Sequence, residues 1–257
     1  MAELLSQTGW VILQLGLGAG LASIARWARI EIRTRHPASR IWCVNRSLPV
    51  HIIVSQDDGA DTREFIVKVY AADYLAAVEA RVLMTDTLRV RDVELVTSGE
   101  FGRGLLLKHN LVCVGGPVNN RITRLILERI TIPVHFDGYT AVSDASGERY
   151  DAVVDPVTSK IVRDIGVVVL TRNPFAENSY VTLFMGARTF GVAACSRVLT
   201  TGSLRKMHTM LGVEYPRWAI LDVDVVDDFV ARVEVLESST GRSTMATPLS
   251  GLTSRSG

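Results

Sequence analysis

Cysteine is scarce in this chain. Cys43, Cys113 and Cys195 stand far apart, which excludes a disulfide framework and a paired-thiolate metal cluster and points to a reducing compartment. The five histidines show no metal-ligand spacing, so no metal is expected. An excess of one charge is missing too. With 28 Lys and Arg against 27 Asp and Glu, no overall field draws the protein to nucleic acid, and no nucleic-acid partner is predicted. Nucleophile motifs are equally lacking: Ser55, Ser98 and Ser196 have no G-x-S-x-G elbow, and no Cys–His pair stands out. The balance leans away from an enzyme.

Long uncharged apolar runs are absent with one exception, Gly9–Ala25, flanked by Trp10 and Trp27. As a helix it would measure about 25 Å, slightly short of a hydrocarbon core of roughly 30 Å. Arg26, Arg29, Arg33, Arg35 and Arg40 follow it and only Glu3 precedes it, which by the positive-inside rule places the following domain in the cytoplasm. A mean hydropathy of +0.22 agrees with a membrane-compatible stretch. The expectation is a transmembrane anchor in an inner or plasma membrane; a buried core helix of that length would read the same way. Gly16 and Gly20 form a G-x-x-x-G pair, which predicts self-association and a homo-oligomer. Gly16, Gly18 and Gly20 also approach a dinucleotide fingerprint, but Leu21 stands where its last glycine belongs.

What is present downstream is an alternation of β-branched runs and helical spacings. It predicts an α/β fold: a Rossmann-like three-layer domain with a mostly parallel sheet. The chain divides into an apolar helix with a basic connector (1–40), the α/β domain (41–237) with inserted hairpins near 137–164, and a Ser/Thr/Gly-rich tail (238–257) read as disordered. Strands are predicted at Leu48–Ser55, Val90–Thr97, Leu111–Val114, Ile132–Phe136, Ile165–Thr171, Tyr180–Met185, Trp218–Val226 and Phe229–Leu236. Helices are predicted at Ala71–Met84, from Asn120 onward, and at Val192–Leu199. The connection around Arg172-Asn173-Pro174-Phe175 is too short for a helical crossover, so its two strands should be antiparallel.

The organising stretch is Leu111–Thr123, where an apolar strand meets Gly115-Gly116-Pro117 and then Asn119, Asn120 and Thr123 ahead of a helix. A second strand-to-helix turn, Gly186–Gly191, repeats the plan with Arg188 and Thr189 inside it. Glycines admit a ligand close to the backbone, and a helix start offers N–H groups with partial positive charge, which suits an anionic group. If both strands are parallel, the two turns share the carboxyl edge of the sheet with Ser55. The candidate ligand site is therefore Ser55, Gly115, Gly116, Asn119, Asn120, Thr123, Gly186, Arg188, Thr189 and Gly191. It would take a small anionic, nucleotide-like ligand and no other cofactor. The competing reading makes Asn119 or Asn120 a helix N-cap, the glycines a tight turn and Arg188 a surface residue.

The Leu111–Thr123 segment resembles the strand, Gly-Gly-Pro, Asn and Thr stretch of uncharacterised prokaryotic Rossmann-like proteins, including some surface-layer-type chains. That resemblance implies an α/β fold and no particular activity. The anchor-plus-domain arrangement looks like prokaryotic nucleotide-signal sensors and effectors, although neither the TIR nor the nucleoside deoxyribosyltransferase catalytic pattern can be placed on these residues. The first expectation is thus a membrane-anchored sensor or regulated assembly subunit. The alternatives are a nucleotide- or glycosyl-bond-processing enzyme using Asp57, Asp58, Asp137, Asp144, Glu148 or Asp151, and a ligand-free scaffold.

Overall fold

The computed structural model describes residues 36–42, 44–56, 69–102, 104, 108–200 and 203–248, the stretch 242–248 by its backbone alone. The expected anchor Gly9–Ala25 and the acids Asp57 and Asp58 lie outside the described residues, as does 249–257. Among the described residues no helix is long and apolar enough to cross a membrane.

The fold is α/β, built on a central mixed sheet. In chain order the elements are α1 (His36–Trp42), β1 (Val50–Val54), α2 (Ala71–Val82, prolonged by a π-turn over Leu83–Thr87), β2 (Val93–Thr97), β3 (Asn110–Val114) and α3 (Arg121–Leu127). A small sheet follows with β4 (Val134–Asp137), β5 (Thr140–Ser143) and β6 (Arg149–Tyr150), then β7 (Val153–Val154). The chain continues through β8 (Ile161–Arg172), β9 (Tyr180–Gly186), α4 (Thr189–Thr200), α5 (Leu204–Leu211), β10 (Arg217–Val226), β11 (Phe229–Ser238) and β12 (Gly241–Pro248). The central order is β12-β11-β10-β8-β9-β3-β1-β2, with β7 paired to β8.

Only β2, β1, β3 and β9 run parallel; β8, β10, β11 and β12 pair antiparallel. The mostly parallel sheet expected from the sequence is therefore corrected to a half-parallel one. Short connections are the cause. Asn173–Ser179 links β8 to β9, and Asp227-Asp228 links β10 to β11 with both residues at positive φ, the geometry of a tight hairpin.

Side chains alternate between two cores. Val112 and Val114 of β3, Val168 and Leu170 of β8, and Ala219, Leu221 and Val223 of β10 face α1, α2, α4 and α5. Leu111 and Cys113, Val167 and Val169, and Trp218 and Ile220 face α3 and the small sheet. This period of two, buried on both faces, makes the central strands read as continuous apolar runs. On the first face the small residues Ala76, Ala77 and Ala80 bring α2 close to α4, where the Ser196 hydroxyl donates to the Ala76 carbonyl (3.0 Å).

Three boundaries change. The stretch read as a basic connector through Arg40 contains α1, whose Ala38, Ile41 and Trp42 are core residues; Trp42 meets Phe184 edge-on and donates Nε1 to the Leu199 carbonyl (3.0 Å). Helix α5, not anticipated, buries Leu204, Met207 and Leu211 along one side. The tail read as disordered opens on the last residue of β11 and contains β12, which pairs with β11, so backbone pairing supplies an order its own composition does not suggest. The inserted hairpins are the separate sheet β4-β5-β6, fixed to β11 by Glu237. That buried carboxylate accepts hydrogen bonds from Ser143 (2.6 Å), Ser146 (2.5 Å) and Tyr150 (2.6 Å).

Candidate functional site

The parallel registers bring three strand ends together. Val54 stands opposite Val114, which stands opposite Phe184, so Ser55, Gly115 and the β9–α4 turn lie side by side at one edge. Continuing backbone bonds lock them: Ser55 N–H donates to Val114 and Gly115 N–H to Phe184, each at 2.9 Å. A cleft opens above this edge. It is lined by Asp73 at the start of α2, Gly116, Pro117 and Asn119 after β3, Gly186, Arg188 and Thr189 after β9, and the aromatic residues Tyr70, Phe136 and Tyr139.

Asp73 is the acid of the cleft, and sequence reasoning missed it by placing it on an ordinary helix. It lies in the first turn of α2, where a carboxylate suits the helix dipole, and only 4% of it is exposed. Ser55 donates its hydroxyl to Asp73 Oδ2. Burial pushes the carboxyl up from its ordinary 3.8 to about 6, against the opposing pull of that hydrogen bond. No cation of the described residues pairs with it. Gly115 completes this corner: its φ is +108°, and a Cβ there would stand 2.7 Å from the Ser55 Cβ and 3.1 Å from Asp73 Oδ2.

The remaining candidates separate into residues that face the cleft and residues closed in the frame. Gly116, Asn119, Gly186, Arg188 and Thr189 face it. Asn120 and Thr123 are fully buried and committed. Asn120 caps α3 through Oδ1, which accepts from Ile122 N–H (3.0 Å) and Thr123 N–H (3.2 Å), while its amide donates to the carbonyls of Ile53 (3.1 Å) and Val114 (3.0 Å). Thr123 donates to the Gly115 carbonyl (3.0 Å). Gly191 is a packing glycine: a Cβ on it would collide with the Ile165 carbonyl of β8, and one on Gly186 would stand 2.7 Å from Val192 N.

The helix starts expected to offer free N–H groups already have internal acceptors. At α4 the acceptor is Asp164, fully buried, which takes the N–H of Arg188 (3.0 Å) and Ile165 (2.7 Å) on Oδ1 and of Gly191 (2.7 Å) on Oδ2. Burial raises the Asp164 carboxyl, and these N–H bonds oppose the rise. Among the described residues, the cation that faces the cleft is the side chain of Arg188. Its guanidinium stacks over the Tyr139 ring at 4.0 Å, a cation–π contact made by the β4–β5 turn of the small sheet.

The flap acids are not among the cleft-lining residues, although Asp137 lies between two that are, Phe136 and Gly138. Asp137 pairs with Arg149 (2.8 Å), Asp144 with His135 (3.1 Å), and Asp151 accepts from Thr140; Glu148 is exposed. Two histidines distant in sequence do meet: His51 Nε2 and His109 Nδ1 lie 2.5 Å apart, and burial lowers the His51 pKa. Among the described residues no group of three or more His, Cys, Asp or Glu could hold a metal. Cys113 and Cys195 are buried, and burial pushes both thiols up, away from the reactive thiolate. The Asn173 turn is at the opposite edge, where its amide donates to the His109 carbonyl (3.1 Å). The chain matches no protein-family model and no curated protein.

Proposed function

We propose that this protein is a membrane-anchored cytoplasmic α/β domain that binds a small anionic, nucleotide-like ligand and acts as a sensor or regulated assembly subunit. In this reading the parallel half, strand order β2-β1-β3-β9, is a Rossmann-like unit, and the ligand sits where such units bind, beyond the carboxyl ends of the strands. The observation that carries the proposal is the cleft itself: a buried acid, Asp73, with no cation paired to it among the described residues, and a rim cation, Arg188, share one recess with three aromatic residues. Rings offer stacking surface to a flat base, the guanidinium offers a fork to phosphate oxygens, and a strongly perturbed acid in a cleft marks a recognition or reaction site. The membrane anchor at Gly9–Ala25 and homo-oligomerisation belong to the same proposal.

The test is thermal unfolding of the full-length chain against nucleotides, dinucleotides and cyclic nucleotides. A ligand at about a hundred times its Kd stabilises by roughly 2.7 kcal/mol, which moves the midpoint by several degrees. The shift should vanish in Arg188→Ala. A panel in which no nucleotide moves the midpoint removes the proposal.

A further inference from the structure

We infer that Asp73 sets the ligand class of this cleft, selecting nucleotides whose base carries an exocyclic amine. The inference rests on the nucleotide-binding reading above and adds a recognition group to it. Asp73 Oδ2 is engaged by Ser55, whereas Oδ1 has no partner among the described residues and its side chain lines the cleft. A carboxylate oxygen left open in this way is complementary to an N–H donor.

Burial decides which donor. With 4% of Asp73 exposed, a group that projects from a ring reaches the open oxygen more readily than one set back in the ring. An exocyclic amine projects in this way. The ring N–H of uracil or hypoxanthine is recessed beside a carbonyl oxygen, and that oxygen would meet the Asp73 carboxylate acceptor against acceptor. The Ser55 hydroxyl cannot relieve this clash, because its proton is already given to Asp73.

Spacing agrees. Asp73 lies against Ser55 and Gly115 at the ends of β1 and β3, and Arg188 follows the end of β9. Strands β1 and β9 are two positions apart in the sheet, roughly 10 Å. A nucleoside monophosphate is long enough to place its amine at one point and its phosphate at the other, with the base between the aromatic residues.

Calorimetric titration of the full-length chain tests this with adenosine monophosphate and purine riboside monophosphate, which differ only by the amine, and with inosine monophosphate. A charge-assisted hydrogen bond predicts that adenosine monophosphate binds about 10–100-fold more tightly than either analogue. Asp73→Ala should bring adenosine monophosphate to the affinity of purine riboside monophosphate, and Asp73→Asn should remove most of the preference while keeping the side-chain volume. Arg188→Ala should weaken all three ligands by the same factor. Equal affinity for the three in the wild type, all weakened by Arg188→Ala, overturns the Asp73 assignment and leaves the nucleotide site standing. No binding of any of the three overturns the nucleotide site and this inference with it.

Discussion

Replacing Asp73 by Asn should make the protein more stable at neutral pH. In the folded chain the carboxyl titrates near 6, against an ordinary 3.8, because burial penalises its charged form. Between those two values the native state keeps a proton that the unfolded chain has released, so stability falls as pH rises through this window. Below about pH 4 both states are protonated and the penalty disappears; above about pH 6 it is complete. Roughly two units at about 1.4 kcal/mol each give a cost of about 3 kcal/mol. Asn has the same shape, accepts the Ser55 hydroxyl and carries no charge to desolvate. Denaturant unfolding of wild type and Asp73→Asn at pH 4, 6 and 8 should therefore show near-equal midpoints at pH 4 and an advantage for the variant that grows to about 3 kcal/mol at pH 8, or about 6–12 °C in Tm. A difference that stayed constant across the range would refute the account of Asp73 as an acid whose charge is penalised by burial. A variant less stable at pH 8 would show that the charge has a partner.

Other substitutions probe the frame. Asn120→Ala removes an N-cap and leaves the Ile53 and Val114 carbonyls without their donor, so equilibrium unfolding should report a loss of about 3 kcal/mol. Gly191→Ala drives a methyl into the Ile165 carbonyl and should cost roughly 3 kcal/mol, with circular dichroism showing whether the fold survives; a neutral effect would mean that α4 and β8 are not in contact there. Glu237→Ala strands three hydroxyls under the small sheet. Hydrogen exchange should quicken across residues 134–150 and remain unchanged across β8, whereas uniform quickening would place Glu237 in the global core instead.

The parallel edge was legible because its signals are local. Apolar runs ending in Ser55, in Gly115 and at Gly186 belong to strand ends, and the short link at Asn173 correctly required β8 and β9 to be antiparallel. What escaped reading depends on partners distant in sequence. Helix α5 buries Leu204, Met207 and Leu211, with Met210 partly buried beside them, spaced correctly but among polar residues. Strand β12 takes its order from β11. Asp73 looked like any acid in a first helical turn, and its importance arises from burial beside Ser55. Asp164 did leave a trace, an acid directly preceding the most continuous apolar run of the chain, but its role needs the α4 start brought against β8. The glycines at 186 and 191 carried a true signal with two meanings, ligand approach and helix–sheet contact; Gly186 borders the cleft, and both meet neighbouring backbone closely.

The carboxyl of Asp164 means that the chain supplies its own acceptor to the N–H groups at the start of α4. The strongest main-chain attractor at this edge is satisfied during folding, so abundant inorganic anions find no ready-made seat there. In the proposed reading, discrimination is thereby transferred from backbone, which cannot change without changing the fold, to the side chains around the recess. Arg188 and Tyr139 are exposed at the rim and carry little of the core, so preference can drift through substitutions there while the sheet beneath keeps its shape.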